Sequence, residues 1–234
     1  MRRYPTAIRS AYLTLLLAAL LLTADKAAEA AYLTPAQVDV TLFIAPPPAP
    51  HSDTQKRDLK AVLDAQAART PEEIKRANET EQLSVFSFAD VLGPSFNKEK
   101  LPKTAALFQQ IYDDTLVLLR IGKDRWNRPR PFLVSKDVQP SGQQPKSSAY
   151  PSGNAWLGHL YAIVLADVLP AKSAVIFARG RETGDNRVIA GVHFPTDLEG
   201  GRQAAVAMAA VLWTTPGFQK DLAAARAELQ AAGL

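Results

Sequence analysis

The sequence predicts an all-α protein, one helical domain preceded by an export signal. Three observations predict it. Apolar residues recur at helical spacing along most of the chain, and alanine is abundant. Helix-start signals recur, as in Thr70-Pro71-Glu72-Glu73 and Thr215-Pro216. No alternation of apolar and polar residues persists long enough to argue for a sheet. With 234 residues, 47% of them hydrophobic, the chain can bury one sizeable core.

The first thirty residues read as a secretory signal. Arg2, Arg3 and Arg9 make a basic start, Tyr12 to Thr23 is a short apolar run, and Ala28-Glu29-Ala30 offers a small-x-small cleavage site. The run is short for a bilayer span, which argues against a membrane anchor. Residues 31–54 follow as a proline-rich extended segment centred on Ala45-Pro46-Pro47-Pro48-Ala49-Pro50. Prolines at that density exclude helix, and the segment is expected to lie across the surface of the domain.

The helical domain takes the remainder, 55–234. Asp58 to Arg69 places Leu59, Val62, Leu63 and Ala67 at helical spacing. Thr70 then caps a helix with Pro71 in its first turn and Glu72 and Glu73 at its positive end. Further helices are predicted at about 84–92, 103–121, 153–169, 172–190, 195–214 and 216–232. The apolar stretches within 155–169 and 204–213 are too short to span a bilayer and read as buried core.

Composition excludes several function classes. The formal net charge is +4. Residues 1–30 hold four of the positive and two of the negative charges, so the exported part carries +2. That is no nucleic-acid footprint. The absence of cysteine excludes disulfides, thiolate metal sites and a cysteine nucleophile. An exported chain without cysteine fits a bacterial envelope better than a small stapled scaffold. The three histidines, His51, His159 and His193, argue against a multi-histidine zinc site.

Three segments carry candidate chemistry. The first runs from Lys123 to Arg130-Pro131, a lysine and six residues before Arg-Pro. The second is Tyr150-Pro151-Ser152-Gly153-Asn154, which opens an apolar helix. The third is Asn186-Arg187, then His193, then Asp197. Singly, each has an ordinary structural explanation: a solvated charged face, turn chemistry, a structural histidine.

Together and in this order they resemble the three-part signature of the type 2 phosphatidic acid phosphatase superfamily, which includes the vanadium haloperoxidases. Within it they are most similar to the soluble bacterial class A acid phosphatases. That signature is Lys-x6-Arg-Pro, then Pro-Ser-Gly-His, then Ser-Arg-x5-His-x3-Asp. The ending Thr215-Pro216-Gly217-Phe218-Gln219 is also similar, and the resemblance spans roughly residues 40–230.

The resemblance implies a single compact helical domain of the acid phosphatase type and a periplasmic hydrolase of phosphate monoesters. His193 would be the nucleophile, passing through a phosphohistidine, and Asp197 would orient its ring. Lys123, Arg130 and Arg187 would neutralise the phosphoryl oxygens, with Ser152 and Gly153 completing the cradle at a helix N-terminus. No metal or cofactor is called for. The implied partners are phosphorylated small molecules or inorganic phosphate, with no nucleic acid and no membrane after signal cleavage; a homo-oligomer is compatible with the resemblance.

Two positions depart from the pattern. Asn186 stands where the signature has serine, a change that keeps hydrogen-bonding capacity. Asn154 stands where it has the histidine that acts as general acid, and an amide cannot transfer a proton at useful pH. General acid catalysis is worth about 10²–10⁴ in rate, so turnover is expected to be slowed or narrowed to good leaving groups. His159, five residues further along the helix, would project about 140° away from Asn154. Two other functions stay open: a phosphate-binding pseudophosphatase, motivated by Asn154, and a vanadate-dependent haloperoxidase, against which the short chain argues.

Overall fold

The computed structural model describes residues 31–234; the export signal expected at 1–30 lies outside the described residues. Seven principal helices make up the described chain: α1 (Asp53–Ala68), α2 (Pro71–Glu79), α3 (Pro102–Trp126), α4 (Gly153–Val168), α5 (Ser173–Ile189), α6 (Pro195–Leu212) and α7 (Pro216–Ala231). Single helical turns occur at Val40–Phe43, Ala89–Leu92 and Pro131–Val134, and short 3₁₀ turns at Val85–Phe88 and Pro170–Lys172. No strand occurs among the described residues, so the all-α expectation holds.

Local chemistry sets the helix ends. Ser52 caps α1 by accepting from the Gln55 amide at 3.2 Å. Thr70 and Glu73 form the reciprocal box the sequence announces: the Glu73 amide donates to Thr70 Oγ1 at 3.2 Å and the Thr70 amide to Glu73 Oε2 at 2.7 Å. Helix α3 runs past the expected end near 121 to Trp126, where Asn127 in the left-handed conformation (φ 43°) closes it. The extra turn carries Lys123 inside the helix rather than in a loop.

Helix α4 is predominantly apolar and forms the centre, packed chiefly against α5 and α6, while α7 packs along α3. Trp156, Leu160, Tyr161 and Leu165 of α4 are fully buried with Phe88, Phe96, Leu107, Ile111 and Phe218. The α4–α5 approach is close enough to require glycine. A Cβ on Gly158 would lie 2.6 Å from the Gly180 carbonyl oxygen, and one on Gly180 would lie 2.5 Å from that of Gly158.

The proline-rich segment 31–54 is more folded than its prolines suggest. It contains a helical turn at Val40–Phe43, its last residues Asp53 and Thr54 already belong to α1, and it does not simply cross the surface. Tyr32, Leu33, Val38, Val40 and Ile44 are buried in the main core, and the Leu33 amide donates to Asp114 Oδ2 at 3.0 Å. Burial of apolar side chains outweighs the preference of the nearby prolines for solvated extended chain. Outside the Val40–Phe43 turn and the start of α1, the segment keeps the expected non-helical backbone.

Candidate active site

The site forms where the end of α3, the start of α4, the end of α5 and the start of α6 converge. Its wall includes Lys123 of α3, Arg130, Gly153 and Asn154 of α4, Arg187 of α5 and His193, around a cavity of about 320 Å³. The three sequence segments, up to 74 positions apart, therefore meet in one place. The cavity adjoins an apolar groove with Tyr112, Leu116, Leu119 and Leu157 in its wall.

His193 lies in the turn between α5 and α6. Helix α5 ends at Ile189, and Gly191 takes a positive φ of 73°, so the chain folds back. The Val192 and His193 amides both donate to the Arg187 carbonyl, at 3.1 and 3.2 Å. This ties the backbone of Arg187 to that of His193 and brings both side chains to the same cavity wall.

The protonation state of His193 follows from its neighbours. Arg130 Nη1 lies 2.8 Å from Nε2 and can only donate, so Nε2 must accept. The ring proton is therefore on Nδ1, which donates to Asp197 Oδ2 at 3.2 Å. The outcome is a neutral imidazole with its lone pair on the cavity side. Burial and the adjacent Arg130 hold its pKa down to about 3, against the pull of Asp197.

Asp197 sits behind His193 and outside the cavity wall. Its Oδ2 also accepts from the Phe194 amide at 2.8 Å, closing the first turn of α6. Burial alone would raise its pKa, but hydrogen bonding to His193 and the charge of Arg128 hold it below the usual carboxylate range. Ser152 likewise lies under the wall. It is buried as the N-cap of α4, accepts from the Ala155 amide at 3.3 Å, and its own amide donates to the Asp197 carbonyl at 2.9 Å.

The three cations are strongly desolvated. Burial, then the neighbouring charge of Arg130, lowers Lys123 to about 7, and its ammonium donates to the Ser148 carbonyl. Burial lowers Arg130 to about 10. Arg130 is fixed by the carbonyls of Val192 at 2.8 Å and Ser147 at 2.9 Å. Arg187 is buried with Nη2 3.3 Å from Thr80 Oγ1, while its Nε has no hydrogen-bond partner in the protein. Concentrated, desolvated donors of this kind suit a tetrahedral oxyanion, which would return to each cation what burial removes.

Several residues of the site escape the sequence reading. Arg128 is buried and spans Asp197 Oδ1 at 2.5 Å, Thr196 Oγ1 at 2.7 Å, Asp58 Oδ2 at 2.7 Å and Gln55 Oε1 at 2.6 Å. Its guanidinium also covers the Phe194 ring at 4.3 Å. The one signal for it is its position inside the Lys123–Arg130 segment. Thr80 and Glu81, just after α2, carry no motif, yet both non-matching positions hold them. Asn154 Nδ2 donates to the Glu81 carbonyl at 3.0 Å and, at 3.4 Å, reaches that of Thr80; Asn186 Nδ2 donates to Thr80 Oγ1 at 2.9 Å.

His159 is not part of this cavity. It lies in a separate surface depression with Phe43, Arg181, Glu199 and Arg202, its ring 5.9 Å from that of Phe177. His51 lies in the turn before α1 with a positive φ of 65°.

An all-helical core gathers Lys123, Arg130, Arg187 and His193 where helix ends converge, and comparison with known proteins places the chain. The chain belongs to the PAP2 superfamily, which residues 105–221 match. It is 30% identical over 208 residues to the non-specific acid phosphatase of Salmonella typhi, covering 82% of this chain and 80% of that one. It is 29% identical over 209 residues to the acid phosphatase of Zymomonas mobilis, covering 83% and 76%. Among solved structures it is similar to a bacterial vanadium-dependent iodoperoxidase, with a TM-score of 0.61, 17% identity, and coverage of 76% of this chain and 53% of that one. A transmembrane PAP2-type phosphatidylglycerolphosphate phosphatase from Bacillus subtilis gives a TM-score of 0.50 at 18% identity, covering 70% and 87%. At these identities the structural likeness speaks for the fold.

Proposed function

We propose that this protein is a periplasmic acid phosphatase that hydrolyses phosphate monoesters through a phosphohistidine on His193. The observation that carries the reading is the His193 geometry. A neutral ring has Nδ1–H on Asp197 and Nε2 facing a cavity with Lys123, Arg130 and Arg187 in its wall. The acid phosphatase relatives support the reaction class, and the basic, apolar, Ala-x-Ala start of the sequence supports export.

In this mechanism Arg130 releases Nε2 to bind a phosphoryl oxygen, and Nε2 attacks phosphorus opposite the ester oxygen. Arg130, Arg187 and Lys123 stabilise the charge on the equatorial oxygens. The imidazolium character that develops at His193 is balanced by Asp197, whose charge Arg128 secures. Water then attacks the phosphohistidine and restores the free ring. The apolar groove with Tyr112, Leu116 and Leu157 suits an aromatic or otherwise apolar leaving group.

A second reading rests on Asn154. Its amide is engaged by the Thr80 and Glu81 carbonyls, so it neither transfers a proton nor faces the leaving group as a free donor. On this reading the three cations hold phosphate or a phosphorylated ligand without turnover, even of esters whose leaving group needs no proton. The test is hydrolysis of para-nitrophenyl phosphate across pH 4–8 with a chelator present. Turnover that His193→Ala abolishes supports the phosphatase; phosphate binding with no turnover selects the binding protein.

A further inference from the structure

We propose that Glu81 is the proton donor to the leaving group, taking the part that Asn154 cannot. The inference rests on the phosphatase reading above and adds a catalytic residue to it. Among the described residues, Glu81 is the one carboxylate in the wall of the cavity that holds His193, Lys123, Arg130 and Arg187. A carboxylate weakens an anion cradle electrostatically, so its presence there asks for a chemical role.

The placement of Glu81 is specified rather than incidental. Its backbone carbonyl accepts from Asn154 Nδ2 at 3.0 Å, which puts Glu81 beside the residue that occupies the general-acid position of the signature. Thr80, its neighbour, is held by Asn186 Nδ2 at 2.9 Å and Arg187 Nη2 at 3.3 Å. The two departures from the signature thus both anchor the segment that delivers this carboxylate. On the other side, Gly142 takes a positive φ of 72°, and a Cβ there would lie 3.4 Å from Glu81 Oε2. The Glu81 carboxyl thus lies at ordinary contact distance from this loop, while Asn78 Oδ1, at 2.7 Å from such a Cβ, is the atom that requires glycine there. Glu81 also belongs to the wall of the adjoining apolar groove, the side on which a leaving group would lie.

The proton balance closes. The Nε2 lone pair of His193 forms the N–P bond, the P–O ester bond breaks with its electrons on oxygen, and the carboxylic proton of Glu81 moves to that oxygen. In the second half, water attacks phosphorus while its proton moves to the Glu81 carboxylate, and the N–P pair returns to Nε2. The sum is ester plus water to alcohol plus phosphate.

The experiment compares kcat/KM for para-nitrophenyl phosphate and for an alkyl phosphate in wild type, Glu81→Gln, Glu81→Asp and Glu81→Gln/Asn154→His. Alkyl leaving groups need the proton and nitrophenolate does not. Glu81→Gln is expected to lose about 10²–10⁴ on the alkyl ester and less than about tenfold on the aryl ester, and to accumulate phosphohistidine in an alkaline quench. Glu81→Asp retains part of the alkyl activity, and the double variant regains it. An equal loss on both esters, or none on either, overturns the proposal. A fold defect is separated by the aryl ester, which only a folded site hydrolyses. Absence of aryl turnover in wild type instead removes the phosphatase reading itself.

Discussion

Arg128 and Asp197 form an ion pair in the interior, Nη1 to Oδ1 at 2.5 Å, with side chains 4% and 0% exposed. The same guanidinium reaches Asp58 of α1 through Nη2, at 2.7 Å. One buried cation therefore joins α1 to α6 and holds the carboxylate that orients His193. Removing one partner of such a pair strands the other charge and costs about 3–5 kcal/mol. Arg128→Met is expected to lower unfolding free energy by about that amount in urea titration, and to reduce phosphatase activity more than substrate affinity.

Asp197→Asn tests the tautomer. An amide at this position can present NH₂ to Nδ1 and favour the proton on Nε2, which removes the lone pair from the cavity. Loss of the right tautomer in a serine-protease triad costs on the order of 10⁴, and a loss of roughly 10³–10⁴ in kcat is expected here. Nitrogen chemical shifts of the His193 ring would report the tautomer directly.

The pH profile follows from two depressed groups. With its pKa near 3, His193 stays neutral and nucleophilic well below the ordinary histidine range, so the loss of kcat/KM from nucleophile protonation is expected near pH 3. Lys123, near 7, loses its charge in the free protein as pH rises through neutrality, and phosphate affinity is expected to weaken there. Lys123→Gln should remove that step, leaving only the titration of phosphate itself in the inhibition constants.

The same His193 shift links pH to stability. The folded pKa lies below the unfolded value near 6.5, so the unfolded chain binds the proton first on acidification. The stabilisation is fully present above about pH 6.5 and is lost as pH falls toward 3. Thermal midpoints measured between pH 7 and 3 should show a steep fall that His193→Gln reduces.

Gly158 and Gly180 set the α4–α5 distance, and with it the spacing between Asn154 and Arg187. Alanine at either position would press a methyl into the facing carbonyl at 2.5–2.6 Å. Overpacking of this kind costs about 1–3 kcal/mol, which should appear as a lower thermal midpoint with some loss of activity. His159→Ala, in its separate depression, should leave the alkyl-to-aryl activity ratio unchanged.

The helical class was legible because helix is a local structure. Thr70-Pro71-Glu72-Glu73 and Thr215-Pro216 mark helix starts within a few residues, and α4 through α7 lie within two residues of their expected ends. The prolines misled where burial competed with local preference: Val38, Val40 and Ile44 are interior because a core was available nearby. Lys123, Arg130, Arg187 and His193 could be named from fixed spacings, since a signature records side chains that converge on one ligand.

By itself the sequence determined the helical class, the superfamily signature and the two asparagines that break it. Only the tertiary structure decided what those asparagines touch. It carried Glu81 to the cavity, buried Arg128 against Asp197 and sent His159 to another face. The physical reason is that capping and amphipathic spacing act over a few residues along the chain. Ion pairing, desolvation and proton transfer depend on distances between residues that only packing brings together, as Arg128 and Asp197 are across 69 positions.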